Sequence, residues 1–257
     1  MSFDRAAENY DASRKLDRAV LDRIIDLLAR EMHGRAPALE VGVGTGMIAL
    51  PLAKRGIRLV GLDLSAAMMA KLVDKAGGRA PLALVRGDTT RLPFRDAAFG
   101  AAYARHVLHL IGNWRGAVGE LCRVVRPGGV VLISPGRFTR DFGGELSHVI
   151  RREAGAGAAD PGLDLRANPD DLDEAFATAG ARGRDLPEIA FPNDESVRGY
   201  LEEVGRRSYS WTWRVPEDRL RRALDLATRW ALDRYGSLDA RTQELVRTSW
   251  RAYDVPD

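Results

Sequence analysis

Residues 39–46 read Leu39-Glu40-Val41-Gly42-Val43-Gly44-Thr45-Gly46, an apolar run that passes into a glycine-rich turn. A helix-like stretch follows this turn as far as Arg55. Because glycine has no Cβ, a ligand can approach the backbone of such a turn closely, and the start of the helix offers unpaired N–H donors. The pattern predicts a ligand-binding loop between a strand and a helix, although glycine also serves tight turns that hold no ligand.

Short apolar runs alternate with helix-like stretches on both sides of this loop. An amino-terminal helix precedes it, with apolar residues from Leu16 to Leu28 at three- to four-residue spacing. The predicted strands are 38–43, 57–63, 81–88, 99–105 and 130–134. Strands that alternate with helices need crossover connections, which should be right-handed. The fold class predicted is therefore α/β, with a mostly parallel sheet and helices on both faces.

Residues that start, stop or disturb helices support this reading. Ser65 and Asn113 are placed to cap helices, and Gly56 follows the helix after the loop. Pro51 disagrees, because a proline inside a helix that began near Thr45 would remove one hydrogen bond and distort the backbone.

The pattern loosens after residue 134. A mobile connection is predicted over 136–168, which contains Gly143, Gly144 and the Gly/Ala-rich stretch 154–159. A helix from Asn168 and a strand over 182–190 follow. Two helices follow, over 195–207 and 216–235, and 245–255 is predicted to be a final antiparallel edge strand. We expect one domain over 1–257, with segments at 1–36 (helical cap), 38–134 (core), 135–190 (linker, helix and strand), 191–244 (helical lid insertion) and 245–257 (edge strand).

The composition is that of an ordinary globular protein. The chain has 257 residues, 45% of them hydrophobic and 29% charged, which is enough to form a core without disulfides or metals. The net charge is +3, and the scattered basic residues indicate mainly solvated helix faces, with a nucleic-acid surface as the less favoured interpretation. The amino terminus lacks the pattern of a secretory signal, no window is apolar enough to cross a bilayer, and Cys122 is the single cysteine. We expect a cytoplasmic protein without a metal or membrane partner, and leave open whether it is a monomer or a homodimer.

Two acidic residues follow the next two predicted strands. Asp63 can accept hydrogen bonds from both hydroxyls of a ribose, and Asp88 can accept one from an adenine amino group. Since parallel strands end at one edge of a sheet, where open α/β sheets bind ligands, the loop and both acids predict a single site. Either acid alone would be explained by capping a turn. The loop spacing G-x-G-x-G differs from the G-x-G-x-x-G of dinucleotide enzymes, which disfavours a nicotinamide-dependent oxidoreductase.

Four motifs occur in order between residues 38 and 134: Glu40–Gly46, Gly61–Met68, Gly87–Thr89 with Leu92–Phe94, and Arg126–Gly129. Together they resemble the motifs of the class I S-adenosylmethionine-dependent methyltransferases, and most closely the small-molecule, ubiquinone/menaquinone-biosynthesis-like (type 11) group. The resemblance implies a Rossmann-like seven-stranded sheet with a reversed last strand. It also implies S-adenosylmethionine as the cofactor and methyl transfer to a small organic acceptor.

The same resemblance assigns cofactor contacts position by position. The glycine loop with Glu40 would hold the methionine part, Asp63 the ribose, Met68 the adenine face, and Asp88 with Thr89 the adenine edge. Arg105 matches a position that often contacts the cofactor through its main chain, and it is larger than the usual residue there. The cofactor-binding residues implied are Glu40, Gly42, Gly44, Gly46, Asp63, Leu64, Met68, Asp88, Thr89 and Arg105.

Two residues are candidates for a catalytic role. A sulfonium methyl is already activated, so alignment and exclusion of water matter most, and a general base matters only for an acceptor that is protonated at neutral pH. His106, just beyond the fourth strand, is the candidate base, whereas the resemblance makes His109 a structural histidine. Tyr10 resembles the aromatic residue of an amino-terminal segment that closes over the site.

Three aromatic residues, Tyr209, Trp211 and Trp213, lie within the predicted lid. They either pack as the core of the lid or form an apolar wall around an organic substrate.

Two rival functions stay open. A nucleic-acid methyltransferase is disfavoured, because no Asn/Asp-Pro-Pro-Tyr motif follows the fourth strand and Cys122 is not in a Pro-Cys loop. RNA modification nevertheless stays a possible function, because the chain is rich in arginine. A protein that binds the cofactor without transferring its methyl group is the other, because the motifs describe binding alone.

Overall fold

The structure is a computed structural model that describes residues 16–134, 137–138, 142–155, 162–164, 168, 170–192, 195–241 and 245–257. Tyr10 lies outside these residues. The chain divides into two compact units. The first contains the described parts of Met1–Gly136, Pro161–Ile189 and Ser249–Asp257, and the second those of Arg137–Asp160 and Ala190–Thr248.

The regular elements are numbered in chain order. The strands are β1 (Ala38–Val41), β2 (Leu59–Asp63), β3 (Ala83–Arg86), β4 (Phe99–Arg105), β5 (Val125–Ser134), β6 (Arg137–Phe138), β7 (Arg182–Asp185), β8 (Ile189–Pro192), β9 (Leu245–Thr248) and β10 (Arg251–Asp254). The helices are α1 (Arg18–Glu31), α2 (Ala49–Lys54), α3 (Ala66–Lys75), α4 (Trp114–Val124), α5 (Phe142–Ala154), α6 (Asp171–Thr178), α7 (Val197–Gly205) and α8 (Glu217–Tyr235).

The first unit is built on a seven-stranded sheet in the order β3-β2-β1-β4-β5-β10-β7. Strands β1 to β5 pair in parallel, and β10 is antiparallel to both of its neighbours. The predicted α/β fold, with a mostly parallel sheet and one reversed strand, is confirmed. The chain moves in opposite directions from β1 to β3 and from β4 to β5, so right-handed crossovers place α2 and α3 on one face and α4 on the other.

The predicted position of the reversed strand is wrong. β10 lies between β5 and β7 rather than at the edge, since Tyr253 is paired with Val131 on one side and Gly183 on the other. Tyr253 is fully buried, and its ring stacks on Phe176 of α6 at 3.7 Å between centroids. The central residues of β10 are buried, which suits a strand that has a neighbouring strand on each side. The edge strand at this end of the sheet is therefore β7.

The strand order also places a crevice. β1 and β4 are neighbours, but the strands that follow them lie on opposite sides, so the chain reverses its direction across the sheet at this point. The loops leaving the carboxyl ends of β1 and β4 diverge there, and open α/β sheets bind their ligands in such a crevice.

The predicted helix caps are present, but the first helix after the loop begins later than expected. The Ser65 and Asn113 side chains accept hydrogen bonds from the N–H groups of Met68 and Gly116. The helix predicted from Thr45 begins only at Ala49. Pro51 is then its third residue, where a backbone N–H is not needed for the helix, and the expected distortion is unnecessary.

The second unit contains α5, α7, α8 and a three-stranded sheet in the order β6-β9-β8. Helix α5 occupies Phe142–Ala154, within the predicted mobile connection, and the prediction is wrong for these residues. The two glycines at the start of α5 favoured a break, although an apolar stripe follows them. This stripe is buried in the core of the unit and consists of Leu146, Val149, Ile150 and Ala154. The predicted segment 245–255 is divided between β9 of this sheet and β10 of the larger one. That this unit acts as a lid within one domain stays a prediction.

The aromatic cluster of the second unit is a packed core. Trp211 is 4% exposed, and the Arg151 guanidinium lies over its ring, with the carbon 4.6 Å from the ring centroid. The Tyr209 ring is close to parallel with the Trp211 ring, and the two ring centroids are 6.4 Å apart. This burial favours the packing role of Trp211 over a substrate wall.

Candidate functional site

A cleft of about 330 Å³ lies at the carboxyl ends of β1 to β4 in the first unit. Its lining residues are Gly42, Gly44, Asp63, Leu64, Met68, Gly87, Asp88, Thr89, Thr90, Arg105, His106, Val107, Leu110, Ile111, Gly112 and Asn113. It therefore brings together most of the residues that the sequence singled out. Two of them, Glu40 and Gly46, are not part of this lining.

The loop glycines serve different purposes. Gly42, Gly44 and Gly46 all have positive φ, from +53° to +78°, which disfavours other residues. A Cβ at Gly42 would lie 2.4 Å from Val107 Cγ2, and one at Gly46 would lie 2.7 Å from Leu72 Cγ, so the protein's own packing requires both. At Gly44 the nearest atom to a Cβ would be Met68 Cε at 3.4 Å. Gly44 is therefore the loop position at which the protein's own packing crowds a Cβ least.

Asp63 joins the glycine loop to the second strand. One carboxylate oxygen accepts a hydrogen bond of 2.8 Å from the backbone N–H of Gly44, and the other accepts one of 2.8 Å from Ser65 N–H. A carboxylate oxygen has a second lone pair, so each can also accept from a ligand hydroxyl. Since Gly44 N–H is bound to a carboxylate, a pyrophosphate here would meet negative charge, which disfavours a dinucleotide.

Asp88 begins a 3₁₀ turn at the end of β3. One oxygen accepts hydrogen bonds from the Thr90 N–H at 2.8 Å and the Thr90 hydroxyl at 2.9 Å. Thr89 is buried beside it, whereas Asp88 is exposed to the cleft. The turn-capping explanation is thus correct for Asp63 and Asp88, but both carboxylates also face the same cleft.

Glu40 lies beneath the loop rather than in the cleft. It is 4% exposed, and the hydroxyl of Tyr103 donates a hydrogen bond of 2.8 Å to one of its oxygens. Burial raises the pKa of Glu40 to about 8, opposed by the hydrogen bond from Tyr103. Burial also raises the pKa of Tyr103, which keeps its phenol as the donor. Glu40 is therefore largely protonated near neutral pH.

This protonation predicts a pH-dependent contribution to stability. Between pH 5 and pH 8 the unfolded Glu40 is ionised while the folded one keeps its proton, so the free energy of unfolding falls as pH rises. We expect the Glu40→Gln variant, which mimics the protonated acid, to lose about 2 kcal/mol less than the wild type between pH 5 and pH 7. Urea unfolding at several pH values measures this.

Glu120 provides the matched control for that experiment. The hydrogen bond from Arg123 lowers the pKa of Glu120, so the stability it adds is lost only as pH falls below the acid's usual range. The Glu120→Gln variant should therefore differ from the wild type by a constant amount between pH 5 and pH 8. An equally constant difference for Glu40→Gln would show that Glu40 is ionised in the folded protein.

Arg105 and His106 follow β4 on the other side of the loop. Arg105 pairs with Ser134 in the sheet, and its Nη1 atom lies 3.8 Å from Met47 Sδ. His106 has φ +55° and donates its backbone N–H to Ser134 O at 3.0 Å. A left-handed backbone costs a residue other than glycine roughly 1–2 kcal/mol, and such costs are concentrated at functional sites.

The sequence reasoning missed the wall formed by the segment after His106. Val107, Leu110, Ile111 and Asn113 line the cleft, and only Asn113 had been noticed, as a helix cap. The sequence contained a signal for this wall. Every loop that leaves the carboxyl end of a strand borders the crevice, and the loop after His106 carries apolar residues. Val107, Leu110 and Ile111, together with Met68 and the exposed Leu64, give the cleft an apolar lining.

Cys122 lies outside the cleft, in α4, and burial raises the pKa of its thiol to about 11. It is a poor nucleophile at neutral pH, which agrees with its exclusion from a base-methylating role.

The open α/β sheet and the cleft at its carboxyl strand ends define a protein of Rossmann-like architecture. Residues 39–133 match the family described as a methyltransferase domain. Malonyl-[acyl-carrier protein] O-methyltransferase of Serratia marcescens is 35% identical over 134 residues, which cover 52% of this chain and 50% of that protein. This chain thus spans about half the length of that relative.

A demethylmenaquinone methyltransferase of Mycolicibacterium paratuberculosis is 30% identical over 194 residues, which cover 70% of this chain and 82% of that protein. The YcgJ protein of Bacillus subtilis shares the fold, with a TM-score of 0.63 at 18% identity over 94% of this chain and 100% of that chain. The chain belongs to the class I S-adenosylmethionine-dependent methyltransferases.

The residues of the cleft fit the cofactor of this family. Gly44 of the loop lines the cleft, the carboxylates can accept hydrogen bonds from hydroxyl and amino groups, and the apolar residues suit an adenine ring. The cleft volume is also within the roughly 300–1,000 Å³ of small-molecule sites.

Proposed function

We propose that this protein transfers the methyl group of S-adenosylmethionine to a small organic acceptor. The observation that carries the proposal is the order of groups across four adjacent strand ends: Asp88 at β3, Asp63 at β2, the glycine loop at β1 and Arg105 at β4. This order matches an extended ligand with a base, a sugar and an amino-acid end.

The residues of the chain would act mainly by position. The bound cofactor supplies a methyl group that its sulfonium already activates. Asp63 would orient the sugar and, through its bond to Gly44, hold the loop in place. Asp88 with Thr89 would hold the adenine edge, while Leu64 and Met68 pack on its faces. Such orientation is the main requirement of an in-line displacement.

The Val107, Leu110 and Ile111 side chains would exclude water from the part of the cleft next to His106. We also propose that Tyr10 helps to close the site. For an acceptor with an O–H or acidic C–H group, His106 would take the proton as the acceptor attacks the methyl carbon. The single cysteine supports a reducing compartment, and we propose the cytoplasm.

Replacing His106 by Ala tests its role. With an acceptor that carries an O–H or acidic C–H group, we expect kcat to fall about a hundredfold, the lower end of general-base effects, with little change in the Kd of S-adenosylhomocysteine. His109→Ala is the matched control, because His109 is not part of the cleft lining. Unchanged turnover in His106→Ala would remove His106 from the mechanism.

The proposed function is tested by measuring release of S-adenosylhomocysteine with a panel of phenols, quinones, amines and carboxylic acids. Acceptor-dependent release is the expected result. Cofactor binding without release for any acceptor would favour a binding protein, and RNA binding that weakens steeply with salt would favour RNA modification.

A further inference from the structure

Arg105 holds a special place in the cleft. Of the described residues that line it, Arg105 alone carries a permanent positive charge. Its side chain contacts the residue that directly follows the glycine loop, because Nη1 lies 3.8 Å from the Sδ atom of Met47. The guanidinium is thus on the loop side of the cleft, away from the strand ends that carry Asp63 and Asp88.

The sheet order turns these positions into a charge pattern. Across β3, β2, β1 and β4 the cleft presents a carboxylate, a carboxylate, a glycine loop and a guanidinium. Neighbouring strands are about 4.8 Å apart, so the two ends of this row are separated by roughly 14 Å. A ligand that lies along the row meets acceptors for hydroxyl and amino groups at one end and a cation at the other.

Glu40 is a buried acid that interacts electrostatically with Arg105. Because burial raises the pKa of Glu40 to about 8, this carboxyl group is mostly neutral at pH 7. Glu40 therefore competes little with an anionic ligand group for the Arg105 guanidinium.

We propose that the Arg105 guanidinium binds the α-carboxylate of the methionine part of the cofactor. The inference rests on the proposed function, since it requires that the cofactor lie with its adenine at Asp88. A guanidinium presents paired N–H donors that match the two oxygens of a carboxylate. Arg105 thus adds a side-chain contact to the main-chain contact that the resemblance implied, and it orients the amino-acid end beside Gly44.

Decarboxylated S-adenosylmethionine tests this contact, because it differs from the cofactor only by the carboxylate. We expect the wild type to bind S-adenosylmethionine roughly ten- to a hundredfold more tightly than the decarboxylated form in calorimetric titrations, as for a hydrogen-bonded charged pair. In Arg105→Met the two affinities should become equal. 5′-Methylthioadenosine, which lacks the whole amino-acid part, should bind both proteins within about twofold.

Two further variants control for folding and charge. Arg105→Lys keeps the positive charge without the paired donors and should retain part of the preference. Arg79→Met removes an exposed arginine that does not line the cleft and should keep the whole preference. Circular dichroism checks that each variant is folded.

Two outcomes would overturn the inference and leave the proposed function standing. The wild type could bind both ligands equally, or Arg105→Met could keep the wild-type preference. In the second case, a raised KM for acidic acceptors only would assign Arg105 to the methyl acceptor. If the wild type binds neither ligand nor 5′-methylthioadenosine, the proposed function itself fails.

Discussion

The Asp63→Ala variant is expected to bind S-adenosylhomocysteine about a thousandfold more weakly than the wild type. The carboxylate has two functions that fail together. It holds the Gly44 and Ser65 N–H groups at 2.8 Å each, and it is the proposed acceptor for the ribose hydroxyls. The unpaired N–H groups destabilise the loop in the free and the bound protein alike, so the loss of affinity comes mainly from the ribose contacts. Two hydrogen bonds from ribose hydroxyls to a charged group contribute about 1.5–3 kcal/mol each, so a loss near 4 kcal/mol is expected.

Calorimetry on a small set of variants separates these two functions of Asp63. Asp63→Asn keeps one acceptor oxygen and should lose less affinity than Asp63→Ala. Asp74→Asn, on the exposed side of α3, should bind like the wild type. If Asp63→Ala bound the ligand within about threefold of the wild type, Asp63 would only cap its turn and the proposed ribose site would be wrong.

The Trp211→Ala variant is expected to lose about 3–5 kcal/mol of stability in the second unit, the usual cost of removing a buried tryptophan ring. Trp211 is 4% exposed, packs in the core with residues of α5, α7 and α8, and lies under the Arg151 guanidinium. Its removal leaves a cavity and also removes the contact between that cation and the ring.

Urea unfolding followed by circular dichroism measures this loss. Leu232→Ala is the control, since Leu232 is a large apolar residue of α8 that is 44% exposed, and its replacement should change stability by no more than about 0.5 kcal/mol. If Trp211→Ala had nearly wild-type stability and a raised KM for the acceptor, the packing role would be wrong. The result would favour a role of Trp211 in the apolar wall around the substrate.

The core of the fold could be predicted because its signals are local. Each of the strands β1 to β5 is a short apolar run next to a recognisable cap or glycine, as Ser65 and Asn113 illustrate. The position of β10 could not be predicted in this way. Which strand lies at the edge depends on pairing between segments about 70 residues apart, such as Tyr253 with Gly183, and nothing in Arg251–Asp254 itself encodes that partner.

Helix α5 shows a different failure. Gly143 and Gly144 indicated a break in secondary structure. The apolar residues that follow them, Leu146, Val149 and Ile150, nevertheless have helical spacing. Tertiary burial of this stripe outweighs the low helix propensity of two glycines at the start of the helix.

For the candidate site, the sequence was sufficient to identify the residues but not their contacts. The sequence identified Asp63, Asp88 and the glycine loop, because acids at strand ends follow from a parallel sheet. It could not show that Asp63 binds Gly44 N–H, nor that Glu40 lies below the loop with Tyr103. Both depend on how β1 packs against β2 and β4, and these contacts decide which groups remain available to a ligand.

The central claim is that the cleft above β1 to β4 binds an adenosyl ligand along the row from Asp88 to Arg105. Calorimetric titration of the wild-type protein with S-adenosylhomocysteine tests it most directly. We predict one saturable site per chain that Asp63→Ala weakens and Asp74→Asn does not. The absence of heat and of any thermal shift at ligand concentrations up to about 1 mM would contradict the account.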